Sequence, residues 1–265
     1  LTRPDEVFYC PGYYKINERI AKCWKDGGHG RISAAEGLVQ SCDIIFYELG
    51  RRLGANRLAK YARLYGLGEK SGIDLPQEKR GLVPTEDWKR KLLGEMWYDG
   101  DSINFGIGQG FLQVTPLQMA GVYAALASGK RVKPHVVEKI VRRDGQVVYS
   151  FDPGGEEKLP FHSQTIEVIR RALKDVVERG TGRAARVEGM PAAGKTGTAQ
   201  TPGLPHAWFL CFAPADDPRI VISAFVEHGE HGDRTAAGVA RKILEWYQGQ
   251  GTEEVLTKTM IFDKI

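Results

Sequence analysis

Ala192-Ala193-Gly194-Lys195-Thr196-Gly197-Thr198-Ala199 is the stretch on which the reading of this chain turns. Apart from one lysine its residues are small or β-branched, a composition that suits a strand which another backbone approaches closely. Two more strand-like runs follow, 207–212 and 220–226. Between them Pro214-Ala215-Asp216-Asp217-Pro218 reads as a hairpin turn, so the three runs predict an antiparallel sheet. An amphipathic helix over 163–179 precedes the sheet. Its Ile166, Ile169, Ala172, Leu173, Val176 and Val177 fall at helical spacing, and Gly180 stops it. A closing helix over 235–247 follows the sheet.

Toward the N-terminus, Ser33-Ala34-Ala35-Glu36 is a capping box that opens a helix running to about Gln40. Ser41-Cys42-Asp43 interrupts it. The apolar stretch Ile44-Ile45-Phe46-Tyr47-Glu48-Leu49 then continues helically to Leu53, and a third helix spans Asn56 to Tyr65, ending at Gly66. Thr115-Pro116-Leu117-Gln118 is a second capping box with proline at the first helical position. Its helix is apolar all round, which predicts burial, and ends near Ser128-Gly129. Residues 136–149 alternate about Asp144-Gly145 and read as a hairpin. Residues 1–32 are expected to be an irregular, Gly-rich loop region. Residues 66–110, with Pro76 and Pro84, are expected to form a long excursion over the surface. Helices first, then a hairpin, a helix, strands and a last helix argue for an α+β fold, with an antiparallel sheet covered by helices.

Composition excludes some functions. The net charge of +4 is spread along the chain with no Lys/Arg-rich block, so no nucleic-acid partner is expected. No apolar run reaches the ~18 residues of a membrane helix. The opening Leu1-Thr2-Arg3-Pro4-Asp5-Glu6 has the wrong pattern for an export segment, so the chain is expected to be a processed or excised piece whose targeting signal lies elsewhere.

Lys195-Thr196-Gly197-Thr198 offers a fixed positive charge, two hydroxyls and backbone donors on a strand at which a peptide could pair. The plainer reading is an edge strand with a solvated lysine. Ser41-Cys42-Asp43 sets a hydroxyl and a carboxylate two residues apart in a turn; the plainer reading is a helix N-cap by Ser41 or Asp43. Cys10, Cys23, His29 and Cys42 form Cys-x12-Cys-x5-His-x12-Cys, a complete tetrahedral set for structural zinc. A Cys10–Cys23 disulfide, with His29 a mere turn residue beside Gly28 and Gly30, is the alternative. A metal at Cys42 would clamp the turn between Ser41 and Asp43. Cys211, in the apolar run Phe209-Leu210-Cys211-Phe212, reads as inert core.

Taken together, Ser41-Cys42-Asp43 and, about 150 residues on, Lys195-Thr196-Gly197 resemble the second and third motifs of the penicillin-recognising serine enzymes. Gly106-Ile107-Gly108-Gln109-Gly110, Val114-Thr115-Pro116-Leu117-Gln118-Met119-Ala120, Arg179-Gly180-Thr181-Gly182 and His206-Ala207-Trp208-Phe209 are similar to the surroundings of those motifs in class B penicillin-binding proteins. The resemblance runs over residues 8–247. Asp43 in place of asparagine resembles the penicillin-binding protein 2 branch, the cell-elongation transpeptidases.

The resemblance implies a transpeptidase fold of the penicillin-binding protein and serine β-lactamase type. Residues 1–265 would be the C-terminal part of that single domain, with a loop-rich, zinc-stapled segment at 1–42 and the K-T-G strand, hairpin and closing helix at 190–247. It implies acyl transfer: a serine attacks the D-Ala-D-Ala amide of a peptidoglycan stem peptide, the acyl group passes to a neighbouring stem, and β-lactams trap the serine. Ser41 would relay a proton to the leaving amine, and Asp43 would orient the catalytic lysine and the substrate. Lys195, Thr196 and Thr198 would bind the substrate carboxylate, and the Thr198 N–H would face the oxyanion. Strict alternation puts Thr196 and Thr198 on the strand face opposite Lys195, which leaves open how all three reach one cleft. Relatives look similar in carrying a metal at the cysteine cluster, some with aspartate for cysteine. Expected partners are a membrane glycosyltransferase and scaffold proteins of the elongation machinery, at the extracytoplasmic face of the membrane. A serine β-lactamase, a carboxypeptidase or a non-catalytic penicillin-binding sensor are the alternatives within the superfamily.

One element of the family pattern is missing. None of the eight serines is followed three residues later by lysine, so the chain holds no S-x-x-K. The nucleophile is expected on an upstream S-x-x-K segment of the same protein, and this chain by itself is expected not to acylate.

Overall fold

The computed structural model describes residues 2–155 and 157–249. The first 32 residues are not the irregular loop that their composition suggests. They form two antiparallel two-stranded sheets, the hairpin β2–β3 enclosed by the pair β1–β4, from four short strands: β1 (Val7–Cys10), β2 (Tyr13–Ile16), β3 (Arg19–Lys22) and β4 (Gly30–Ser33). β1 pairs with β4 from Val7↔Ser33 to Cys10↔Gly30, and β2 pairs with β3 from Tyr13↔Lys22 to Ile16↔Arg19. Strands of four residues are too short to display an alternating period, which is why the sequence conceals them.

Helix α1 (Ala34–Val39) starts at Ser33, whose hydroxyl accepts from the Glu36 N–H at 3.2 Å. Only half of the capping box forms, because the Glu36 carboxylate turns away to Arg179. Helix α2 (Asp43–Leu64) follows after the break at Ser41 and Cys42. The two helices expected over 44–65 are joined end to end at Gly54, which leaves helical geometry at φ 68° and ψ 170°. Residues 66–110 are also more ordered than expected. They contain α3 (Glu86–Leu93), capped by Thr85, and α4 (Asp99–Gly106). α4 crosses α2 backbone to backbone: a Cβ on Gly50 would lie 2.6 Å from the Ser102 carbonyl oxygen, and one on Gly106 would lie 2.6 Å from that of Phe46. Eight-residue helices carry too few apolar positions for their period to stand out, and the two glycines that permit the crossing read as loop residues.

Helix α5 (Pro116–Ser128) has the reciprocal capping box expected, with Thr115 and Gln118 bonded at 2.9 and 3.1 Å, and stops at Gly129 in left-handed conformation. The exposed hairpin of β5 (Lys139–Val141) and β6 (Val147–Ser150) precedes α6 (Ser163–Glu178). The central sheet is β7 (Ala193–Ala199), β8 (His206–Ala213) and β9 (Ile220–Val226), antiparallel in that order. A turn at Gly232–Ala236 leads into α7 (Ala237–Gly249).

Period-two alternation in β8 builds two cores. Phe209 and Cys211 join Ile222, Ala224, Ala240 and Leu244 beneath α7. Leu210 and Phe212 join Tyr123, Leu126 and Leu173 beneath α5 and α6. Cys211 is fully buried, and burial pushes its thiol pKa up to about 12, as befits inert core. The α+β expectation, an antiparallel sheet covered by helices, holds. Among the described residues no helix is long and apolar enough to cross a membrane.

Strand β2 is tied to α2 through Glu48. Tyr14 Oη donates to it at 2.5 Å, Arg52 Nε at 2.8 Å and Arg51 Nε at 3.2 Å. Burial pushes the carboxyl pKa up, but the Tyr14, Arg51 and Arg52 hydrogen bonds outweigh it and hold it at about 2. An unfolded glutamate titrates near ~4.3, so this contribution to stability is complete above that pH and is lost as pH falls through about 2. Glu48→Gln is expected to flatten the decline of melting temperature between about pH 5 and pH 2; a parallel decline in both proteins would contradict it. Gly50→Ala is expected to cost about 2 kcal/mol by forcing α2 and α4 apart, read as a drop of roughly 4–8 °C in Tm.

Candidate active site

The turn between α1 and α2 is shaped by strain and by a neighbouring loop. Ser41 sits at φ 55°, a left-handed conformation unusual for serine. The Cys42 N–H closes the turn onto the Gly37 carbonyl at 2.8 Å. Neither Ser41 nor Asp43 caps α2; the cap position is Cys42, with no side-chain hydrogen bond. The hydroxyl of Ser41 is instead met by Lys195 Nζ from β7. Residues 154 positions apart are thus brought into contact.

Lys195 also resolves the alternation problem. Its Nζ donates to the Thr196 carbonyl at 3.0 Å and approaches Thr196 Oγ1 at 3.4 Å. A four-carbon stem carries the ammonium over the strand edge, so a lysine on one face shares a cleft with the threonine on the other. Thr196 Oγ1 lies 3.1 Å from Thr181 Oγ1, and Thr198 Oγ1 accepts from the Gly232 N–H at 3.5 Å. β7 needs its small residues: a Cβ on Gly194 would lie 2.6 Å from the Leu210 carbonyl oxygen, and one on Gly232 would lie 2.2 Å from that of Gly197.

Burial lowers the Lys195 pKa to about 8, with the Asp43 carboxylate pulling the other way. Burial also raises Asp43; the Trp24 N–H at 2.8 Å, Cys23 and Lys195 partly offset this. An amine that titrates near 8 gives and takes a proton near neutrality at small cost, while its charged form attracts a carboxylate.

The cysteine cluster abuts the same turn. Cys10, Cys23 and Cys42 are buried and unbridged, and their Sγ atoms and a His29 ring nitrogen all lie within 4.8 Å of one another. His29 Nδ1 is 3.5 Å from both Cys10 Sγ and Cys23 Sγ, while its buried Nε2 has no hydrogen-bond partner. Burial pushes the Cys42 thiol up to about 12, so thiolates there call for a cation. Three sulfurs and one nitrogen converging at this spacing fit tetrahedral zinc, and the free thiols do not follow the disulfide alternative.

Sequence reasoning missed four contributors. Trp24 links the cluster to the turn, its indole N–H donating to the Gln40 carbonyl at 3.0 Å and its backbone N–H to Asp43. Arg179 grips Glu36 through two 2.8 Å bonds and anchors the Gly180-Thr181 loop against α1. That loop brings Thr181 to Thr196. Gln109 lies along β7, with Nε2 donating to the Thr198 carbonyl at 2.8 Å and Oε1 accepting from the Gln200 N–H at 3.3 Å. Thr181 and Gln109 lie within stretches of recognisable sequence, Arg179–Gly182 and Gly106–Gly110; Trp24 had no such signal. A concavity of about 740 Å³ lined by Phe161, Ile166, Arg170 and Lys174 shares no residue with this constellation. Chemistry rather than volume marks the site.

The chain is similar to known proteins over most of its length. The chain is 33% identical over 258 residues to the peptidoglycan D,D-transpeptidase MrdA of Acinetobacter baumannii, covering 89% of this chain and 38% of that protein. The structure is similar to penicillin-binding protein 2 of Pseudomonas aeruginosa, solved in complex with WCK 5153, at a TM-score of 0.84 and 32% identity, covering 98% of this chain and 58% of that one. It is also similar to penicillin-binding protein 2 of Helicobacter pylori in complex with MreC, at a TM-score of 0.83 and 30% identity, covering 94% of this chain and 46% of that one. The chain thus spans about two fifths of the length of curated relatives that it matches. Residues 1–245 match the penicillin-binding protein transpeptidase domain, and the chain belongs to that family.

Proposed function

We propose that the protein containing this chain is a peptidoglycan D,D-transpeptidase of cell elongation, and that residues 1–265 are the C-terminal part of its single transpeptidase domain. The observation that carries this reading is the contact of Lys195 Nζ with Ser41 Oγ beside Asp43, in a chain of this family. A serine of an S-x-x-K segment outside these residues attacks the carbonyl carbon of the D-Ala-D-Ala amide. The ester bond forms, the amide C–N bond breaks, and the proton given up by the attacking hydroxyl is passed through Ser41 to the departing amine. Lys195 shares that proton and, with the hydroxyls of Thr196 and Thr198, holds the terminal carboxylate. The Thr198 N–H donates to the oxyanion. Asp43 orients the catalytic lysine of the S-x-x-K segment and the substrate. The acyl group then passes to an amine of a second stem peptide, and β-lactams stop the cycle at the ester. Action at the extracytoplasmic face, a membrane anchor in the remainder of the protein, and partnership with a glycosyltransferase and a scaffold protein accord with the cross-linking role; the Helicobacter pylori relative with MreC supports the scaffold.

Cys10, Cys23, His29 and Cys42 hold a structural zinc ion in this reading. Bound there, the metal supplies cationic charge for the buried thiolates and pins the segment that carries Trp24 and the turn that carries Ser41 and Asp43.

Intact-mass analysis after exposure to a penicillin is expected to add one penicillin to the full-length protein and none to the isolated chain. Labelling of the isolated chain would overturn the placement of the nucleophile, and an unlabelled full-length protein would overturn the function. Lys195→Ala in the full-length protein is expected to slow acylation by about a hundredfold or more; an unaltered rate would remove Lys195 from the mechanism. Metal analysis is expected to find about one equivalent of zinc, reduced in Cys23→Ser together with a lower Tm. Less than about half an equivalent in the unaltered protein would reject the zinc site.

A further inference from the structure

The Gln109 carboxamide occupies the edge of β7 in a way that the chemistry described above does not use. In an antiparallel strand the N–H and C=O of one residue point to the same side. The Thr198 carbonyl faces Gln109, so the Thr198 N–H faces away from β8 as well. This edge is the one at which a peptide strand would add, and three of its groups are already engaged. The Thr196 carbonyl accepts from Lys195 Nζ at 3.0 Å and the Thr198 carbonyl from Gln109 Nε2 at 2.8 Å, while the Gln200 N–H donates to Gln109 Oε1 at 3.3 Å. A carboxamide carries the same donor and acceptor as a peptide group. One side chain here takes both positions that a passing backbone would need.

The loop that holds Gln109 is built to present it. Gly108 and Gly110 on either side adopt φ values of 76° and 74°, conformations that side chains rarely tolerate. The Gln109 N–H is fixed to the Asn104 carbonyl at 2.8 Å, at the end of the helix locked to α2 by the Gly50–Gly106 crossing. The contact itself is accessible: Thr198 and Gln200 are exposed and Gln109 is half-buried. Exchange of one amide for another at such a site loses little in water, and a satisfied edge resists pairing with strands that lack further contacts.

We propose that Gln109 is a placeholder on the β7 edge: its carboxamide takes the Thr198 carbonyl and the Gln200 N–H in the free protein, and the backbone amide of an incoming peptide or peptide-like acyl donor displaces it. Gln109 is thereby a specificity-determining residue, setting how strongly a ligand's own amide N–H counts toward binding. The inference rests on the transpeptidase reading, because it takes β7 as the edge where the acyl donor lies.

The test uses the full-length protein and two β-lactams, one with an acylamino N–H beside the lactam ring and one without that group. The readout is the ratio of their second-order acylation rates. Gln109→Ala and Gln109→Glu both remove the donor to Thr198, while glutamate can still accept from the Gln200 N–H. The ratio is expected to rise about three- to tenfold in both variants, the net worth of one hydrogen bond. A general loosening of the strand slows both reagents alike and leaves the ratio unchanged, which would overturn the proposal. A fall in the ratio would also overturn it, showing that Gln109 assists the ligand's amide instead of giving way to it. If the unaltered protein reacts with neither reagent, the transpeptidase reading fails first, and the placeholder with it.

Discussion

The contact between Lys195 and Ser41 is the constraint around which this molecule is arranged. It joins the edge of the central sheet to a turn between two helices, and neither partner reaches the other through its own element. The turn must hold Ser41 at positive φ, which requires α1 to close onto it and the Gly180-Thr181 loop to press against Val39. The strand must pass close to Gly232 and β8, which requires glycines at 194 and 232. The ion pair of Arg179 with Glu36 ties the two halves together from the outside. The half of the Ser33 capping box that fails to form is explained by this use of Glu36.

Electrostatics at the contact follow from burial. Desolvation drives Lys195 toward neutrality and Asp43 toward protonation, and their mutual attraction opposes both shifts. The result is a lysine whose proton is exchangeable near neutral pH. The same turn is held from its other side by the cysteine cluster, which reaches Asp43 through the Trp24 backbone. Cys42 belongs to both systems by position. The turn that carries Ser41 and Asp43 is thus held from one side by the sheet and from the other by the cluster of potential metal ligands.

Edge strands tend to recruit partners, and this fold controls its exposed edge with side chains. Lys195 folds back onto Thr196, and Gln109 lies along Thr198 and Gln200. The groups that hold this edge are side chains and not a covalently continuous strand.

Local pattern alone was enough for the sheet of β7, β8 and β9, the capped starts of α1 and α5 and the break at Ser41; the motif residues stood out only through the resemblance to a family. The former depend on short-range chemistry: β-branched and small residues in the strands, hydroxyl caps, proline at a first turn, apolar spacing in α6. The strands of residues 7–33 and the helices α3 and α4 were hidden because each is too short to show a period; packing on α2 orders the strands and α4, and the Lys89–Asp101 bond ties α3 to α4. The convergence of Ser41, Lys195 and Thr181, and of Cys10, Cys23, His29 and Cys42, was likewise decided only in three dimensions. Sequence spacing carries no information on which way a four-carbon stem bends or which carbonyl a carboxamide meets. Those outcomes belong to the tertiary structure, because they are set by which backbones approach within a hydrogen bond of each other once the core has closed.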